Sequence, residues 1–334
     1  MNIIIPMAGR GSRLRPHTLT TPKPLVPVAG KPIVEWLVED LITLCPEKVQ
    51  QIGFVIGDFG EDVERDLLAV AERLGAQGKI FYQTEALGTA HAIDCAKELL
   101  SGPVLVAFAD TLFRTSYQID SHDDGVIFVQ KVKEPSAYGV VKLSSEGIIT
   151  DFIEKPQHFV SDLAIIGIYY FKNGDELKDE IEKLIQNDIK EKGEYQLTNV
   201  IEILKKKGNK YKPGEVSEWL DCGNKDLVVQ TNKRMLEIKS PTGYLAPTAK
   251  IENATIIQPC FIDDQVELKN SVIGPYVSLG AQTTVLNSVI ENTIIQKNSH
   301  LSGAVLADSM IGNHVQFVLK SKDLSIGDYT NIEG

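Results

Sequence analysis

The sequence lacks the features that would commit it to a membrane, an oxidising compartment or nucleic acid. No apolar run approaches the roughly 18 residues that a bilayer span requires. Its first residues, MNIIIPMAGRGSR, carry no basic stretch ahead of a short apolar run, which argues against a signal peptide. Only four cysteines occur, Cys45, Cys95, Cys222 and Cys260, and none form a C-x-x-C pair. That spacing excludes a disulfide framework or a zinc cluster and leaves buried, reduced thiols as the expectation. Basic residues are in deficit, 34 Lys and Arg against 45 Asp and Glu, a formal net charge of −11. A chain this acidic has no general field for nucleic acid or anionic membrane, so any phosphate it binds must be held by a local site. The expectation is a soluble, cytoplasmic protein with neither nucleic acid nor membrane as partner.

What is present is ordinary for a globular chain: 43% hydrophobic and 24% charged residues over 334 positions. This excludes a disordered, collagenous or coiled-coil protein, and the length suggests two domains. The texture changes once, near residue 240. Before it, β-branched runs (Asn2–Ile5, Ile52–Ile56, Ile80–Gln83, Val104–Ala109, Gly125–Gln130) alternate with helical stretches (Pro32–Thr43, Asp62–Leu74, Thr89–Leu100, Gly174–Gln186, Thr198–Lys207). Alternation at this spacing predicts a doubly wound α/β domain over 1–240, a mixed but mostly parallel sheet with helices on both faces. Leu143–Ile153 and Ala164–Phe171 read as extra strands joined by a loop at 154–162, and a last helix is expected from Asn224 to Lys239.

After a linker at 241–248, a period of six takes over: Ile256, Ile262, Leu268, Ile273, Leu279, Val285, Ile290, Ile295, Leu301, Leu306, Ile311. Ile273, Ile311 and Ile326 are each followed by glycine. A hydrophobe at every sixth position signals a left-handed parallel β-helix over 249–334, with four or five coils of roughly 18 residues. With no obvious polar cap on a coil this short, a homo-oligomer formed through the β-helix is expected.

Two constellations carry chemistry. The first is Met7-Ala8-Gly9-Arg10-Gly11-Ser12-Arg13-Leu14, directly after the first strand. Glycines there let a ligand approach the backbone, and exposed amides at a following helix end suit phosphate. Gly-x-Gly alone is weak, since a dinucleotide fingerprint needs glycine where Leu14 stands and the Walker lysine pattern is missing. However, Arg13 and Lys23, the latter between Pro22 and Pro24, set two cations around the loop, enough to embrace a polyphosphate. The second is Asp110, past the carboxyl end of the buried strand, where open α/β sheets bind ligands.

Gly9-x-Gly11-x-Arg13-Leu14, Thr21-Pro22-Lys23-Pro24-Leu25-Val26-Pro27-Val28 and Gly30-Lys31-Pro32 together resemble the N-terminal signature of the sugar-1-phosphate nucleotidylyltransferases, glucose-1-phosphate thymidylyltransferase among them. The resemblance covers about the first 240 residues and implies transfer of a nucleotidyl group from an NTP to a sugar 1-phosphate, releasing pyrophosphate. Family members with a C-terminal hexapeptide β-helix are known. Carried over residue by residue, it implies nucleotide contacts at Ala8, Gly9, Gly11, Arg13, Lys23, Gln83, Gly88 and Asp110, and a Mg²⁺ cofactor held by Asp110 and Asp221. Arg13, Lys23, Asp110 and Asp221 would be the catalytic set, and Gly139, Glu154, Lys155 and Lys192 the sugar-phosphate side. Lys192 stands where some thymidylyltransferases have arginine, and Ile166 where relatives often carry a small polar residue. The implied substrates are dTTP or UTP with glucose 1-phosphate, with GTP- or CTP-using chemistry on another sugar as the alternative. A non-catalytic nucleotide-sugar-binding relative is disfavoured because all four charged residues are present. His300 and His314 raise an added acyltransferase role for the β-helix, but the coil is much shorter than in relatives with that activity.

Overall fold

The computed structural model describes residues 1–9 and 11–320. Two compact units result: Met1–Val26 with Lys31–Gly223, and Pro27–Gly30 with Asn224–Gly334. Helix Lys225–Lys239 therefore groups with the C-terminal unit, whereas its place in the sequence put it at the end of the first domain. The step at Ile326-Gly327 lies outside the described residues.

The first unit is built on a nine-stranded sheet. Strand Asn2–Pro6 lies between Gln51–Ile56 and Val104–Ala107, parallel to both, with Gln77–Tyr82 at the far edge. Ile3, Ile4, Ile5 and all of Val104–Ala107 are fully buried, as strands covered on both faces require. Beyond Val104–Ala107 the sheet turns antiparallel through the nine-residue strand Leu163–Phe171, which also pairs with Gly125–Lys131. The stretch 143–153, expected as one strand, is a turn and half a hairpin. Gly139–Leu143 pairs antiparallel with Ile149–Glu154. Ser144 closes the connection, its Oγ accepting from the N–H groups of Glu146 and Ile148. The hydrophilic Ser144-Ser145-Glu146-Gly147 run is the turn chemistry that the alternation obscured.

In the second unit, among the described residues, three parallel sheets of five, five and four short strands form the left-handed β-helix. Tyr244 pairs with Phe261 and Phe261 with Ser278, seventeen residues apart. Ser278 then pairs with Ile294 and Ile294 with Met310, sixteen apart. The coils are thus shorter than the expected eighteen. Ile262, Leu268, Ile273, Leu279, Val285, Ile290, Ile295 and Leu301 point into one core, each at most 1% exposed. Asparagine occupies left-handed corners at Asn253, Asn270 and Asn287, where its side chain tolerates the positive φ. Their amides form a ladder, Asn253 Nδ2 donating to Asn270 Oδ1 and Asn270 Nδ2 to Asn287 Oδ1. Inside, the Ser271 and Ser288 hydroxyls each accept an N–H group from the next coil, tying neighbouring coils together through buried polar contacts.

The four cysteines are free thiols, Cys222 and Cys260 buried and Cys45 and Cys95 partly so. Burial pushes the Cys45 thiol up to about 12. Among the described residues, no helix is long and apolar enough to cross a membrane.

Because Leu279 sits at the middle of the coil stack with no exposure, Leu279→Ala should cost about 2–5 kcal/mol by transfer and cavity terms. Chemical denaturation of the full chain would measure this; a cost below about 1 kcal/mol would contradict the shared-core reading.

Candidate active site

The carboxyl ends of the parallel strands open onto a cavity of about 380 Å³. Its wall includes Ala8, Gly9, Gly11, Arg13, Lys23, Gln83, Gly88 and Asp110, every nucleotide-side residue expected from sequence. The glycine loop is followed by a single 3₁₀ turn, Ser12–Leu14, where a helix end was expected. Pro16 explains the stop: Arg15, the residue before it, is extended at φ −61°, ψ 144°. Gly11 is left-handed at φ +59°, and a Cβ there would lie 2.9 Å from Lys23 Cβ. The loop and the lysine segment therefore touch, and Thr18 Oγ1 fixes the contact by donating to the Gly11 carbonyl at 2.8 Å.

Lys23 is held in a short 3₁₀ turn between two prolines and its side chain is only 9% exposed. Its Nζ donates to Asp110 Oδ2 at 3.2 Å. Asp221 reaches the same place from a distant part of the chain. Strand Glu218–Asp221 pairs antiparallel with Thr111–Arg114, setting Asp221 opposite Thr111, and the Cys222 N–H donates to the Asp110 carbonyl at 3.0 Å. Burial holds the Asp221 carboxyl above its ordinary value. The Gly223 N–H, bonded to Asp221 Oδ1 at 2.6 Å, pulls it down, the Asp110 carboxylate pushes it up, and Lys23 and Arg13 pull it down. Asp221 thus feels the other three charged residues. Asp221 itself does not line the cavity, although Gly223 does.

A second cavity, about 420 Å³, holds the other set: Gly139, Glu154, Lys155 and Lys192 all line it. The hairpin supplies three of these, and a Cβ on Gly139 would lie 2.9 Å from Glu154 Oε2, so glycine leaves the carboxylate room. Lys155 is kept at a positive φ of 48° with its N–H donated to the Tyr138 carbonyl at 3.0 Å. Thr89 and Phe108 line both cavities, which makes them neighbours across one wall. Phe108 is fixed by its N–H bond to the Gly167 carbonyl at 3.0 Å and by an edge-to-face contact with Tyr169 at 6.3 Å. Burial raises the Tyr169 phenol, keeping it neutral. Ile166 is 2% exposed and faces away; Ile165 is the one that lines the cavity.

Sequence reasoning did not single out Thr89, Phe108 or Glu202 as site residues. Thr89 Oγ1 donates to Gln196 Oε1 at 3.2 Å and accepts the Leu197 N–H at 2.9 Å, pinning the segment after Lys192 to the shared wall. The only local signal was its place at a strand–glycine–helix junction.

Among the described residues, no group of three or more His, Cys, Asp or Glu forms a self-sufficient metal cage. Asp110 and the electrostatically coupled Asp221 are the carboxylates available to Mg²⁺, which takes one or two protein carboxylates and completes its shell with water and substrate phosphates.

The Nucleotidyl transferase family profile matches residues 2–238. Glucose-1-phosphate thymidylyltransferase of Streptomyces griseus is 26% identical over all of this chain and 99% of its own length. The catalytic subunit beta of mannose-1-phosphate guanylyltransferase from Drosophila pseudoobscura pseudoobscura is 40% identical over 50% of this chain and 47% of that protein. The solved structure of a UDP-glucose pyrophosphorylase from Acinetobacter baumanii superposes with a TM-score of 0.57 at 21% identity, covering 72% of this chain and 94% of that one. That likeness shows the fold.

A carboxyl held above its unfolded value makes the native state the better proton binder, so stability falls as pH rises through the ordinary carboxylate value and on to the raised one. Asp221→Asn removes this loss while keeping an acceptor for the Gly223 N–H. In chelator at about pH 7 its melting temperature should exceed that of the wild type, and the gap should close near about pH 4. A variant less stable at neutral pH would contradict the electrostatic account.

Proposed function

We propose, from the premise that this chain belongs to the nucleotidyl transferase family, that it transfers a thymidylyl or uridylyl group from dTTP or UTP to glucose 1-phosphate. The family match and relatives named for thymidylyl and guanylyl transfer support sugar-1-phosphate nucleotidyl transfer as the activity. The observation that supports direct transfer between two bound phosphate substrates is the pair of cavities that share Thr89 and Phe108. One is lined by a glycine loop, Arg13 and Lys23, the other by Lys155, Lys192 and Glu154.

In this reading the nucleotide lies in the first cavity with its polyphosphate against Gly9, Gly11, Arg13 and Lys23. The sugar phosphate lies in the second, its phosphate on Lys155 and Lys192 and its hydroxyls donating to Glu154. A phosphate oxygen of the sugar then attacks the α-phosphorus across the shared wall and pyrophosphate leaves on the opposite side. No side chain needs to become a nucleophile. Catalysis comes from holding the two anions together and from fixed positive charge where charge develops. Asp110 and Asp221 would hold Mg²⁺, which when bound supplies further neutralisation of phosphate charge. Lys23, 9% exposed, is the stronger of the two loop cations because little water competes for it.

A second reading, guanylyl transfer to mannose 1-phosphate, is favoured by the 40% identity to the guanylyltransferase subunit. The thymidylyltransferase relative matches the whole chain, β-helix included, which is why dTTP or UTP is preferred. The second unit supports association with a second copy through its outer sheet. Val272, Val289 and Val305 stack in register there and are 37%, 51% and 80% exposed. The protein is proposed to act in the cytoplasm.

Pyrophosphate release measured over dTTP, UTP, GTP, CTP and ATP with glucose and mannose 1-phosphates should be greatest with dTTP or UTP and glucose 1-phosphate; a guanylyl preference would replace this reading by the second. Lys23→Ala should lower kcat/KM by about 10²–10³-fold, the scale for a lost donor at developing charge. Lys155→Ala should act chiefly on the KM of the sugar phosphate, and unchanged kinetics in either variant would remove that residue from the mechanism. Light scattering should give a mass that is a multiple of the chain's, falling in Val289→Asp; a monomeric wild type would refute coil-mediated association.

A further inference from the structure

We propose that His91 is a positioning residue for nucleobase recognition, its Nδ1 holding the Gln83 amide so that the carbonyl end faces the base. The inference rests on the nucleotide reading of the first cavity. Gln83 and Gly88 both line that cavity. The Gln83 main chain is fixed by its N–H bond to the Ile56 carbonyl at 2.8 Å, one residue past strand Gln77–Tyr82. Gly88 is clamped as well: at φ +110°, a Cβ there would lie 2.5 Å from the Tyr195 carbonyl oxygen. Its own carbonyl is a fixed acceptor, already taking the Ala92 N–H at 3.1 Å.

Gln83 Nε2 lies 3.1 Å from the Gly88 carbonyl and 3.1 Å from His91 Nδ1. A backbone carbonyl can only accept, so the amide atom facing it is the nitrogen. One hydrogen of that nitrogen goes to Gly88. The other goes to His91, whose Nδ1 must therefore be the lone-pair nitrogen, with the ring proton on Nε2. With both hydrogens spent, Oε1 is the only polar atom of the Gln83 side chain left for a ligand, and it can only accept.

An acceptor at that point selects among bases by chemistry. Thymine and uracil offer the N3–H and guanine the N1–H, whereas cytosine N3 and adenine N1 present a lone pair against Oε1. The arrangement accordingly favours dTTP, UTP and GTP over CTP and ATP, and cavity size must separate pyrimidine from purine. His91 touches neither the reacting atoms nor the base; it acts through Gln83. Without an acceptor at position 91, the amide keeps only the Gly88 restraint, and its orientation loosens.

The test compares kcat/KM for dTTP and CTP in the full-length wild type, His91→Leu and His91→Asn. In the asparagine variant the new side chain can place its Oδ1 near the position of Nδ1 and so accept from Gln83. In His91→Leu the dTTP-to-CTP ratio should drop about 5–10-fold, mostly through KM, the scale of one lost neutral hydrogen bond. His91→Asn should restore it. A purely structural histidine would lower all nucleotides alike, and a ratio unchanged in His91→Leu, or a wild type that prefers CTP or ATP, would overturn the inference. Independently of folding in the variants, ¹⁵N NMR of the wild-type ring nitrogens should show His91 Nδ1 unprotonated at neutral pH. A proton on Nδ1 would overturn it whatever the activity. A wild type inactive with every nucleotide, while Nδ1 is unprotonated, would instead refute the functional reading on which the inference rests and the inference with it.

Discussion

The ion pair between Lys23 and Asp110 is the constraint around which the first unit's cleft is organised. Lysine is rarely so enclosed, and at 9% exposure its ammonium needs a partner to offset the lost hydration. Asp110 provides one from 87 positions along the chain, at the carboxyl end of the buried central strand. The pair can form only if the proline-bounded turn, the glycine loop and that strand are all in register. The half-exposed side of Asp110 stays open to the cavity, so the lysine is kept paired and dry while the carboxylate remains available. A polyphosphate entering the cavity meets a cation that is already desolvated and positioned.

The same logic explains why Asp221 lies where it does. A strand of four residues, Glu218–Asp221, has little stability of its own, and pairing with Thr111–Arg114 fixes it directly after Asp110. Two carboxylates with one partly buried are electrostatically unfavourable in isolation, a cost that nearby cations relieve. Lys23 and Arg13 relieve part of it, and in the proposed reaction a divalent ion would relieve the rest.

Much of this could be read along the chain because the signals in the sequence are periodic or local. The buried strands showed as unbroken β-branched runs, and the coil showed as a hydrophobe near every sixth position, although the true repeat shortens from seventeen to sixteen residues. Ala8, Gly9, Gly11, Arg13, Lys23, Gln83, Gly88 and Asp110 do line one cavity, and Gly139, Glu154, Lys155 and Lys192 another. What sequence concealed was long-range or conformational. The turn at Ser144 hid within an apolar alternation, the 3₁₀ turn at Ser12–Leu14 replaced a helix because of Pro16, and the shared wall of Thr89 and Phe108 exists only once the sheet is folded. Nor could spacing reveal that helix Lys225–Lys239 clusters with the coil.

The central claim is that both substrates occupy contiguous cavities at once, so that the sugar phosphate attacks the α-phosphorus directly. The stereochemistry at that atom tests it most directly. With a nucleoside triphosphate made chiral at the α-phosphorus by sulfur or oxygen-isotope substitution, a single in-line displacement gives a nucleotide-sugar of inverted configuration. Retention would mean two displacements through a covalent nucleotidyl-enzyme, and would contradict a site that works by placement and charge alone.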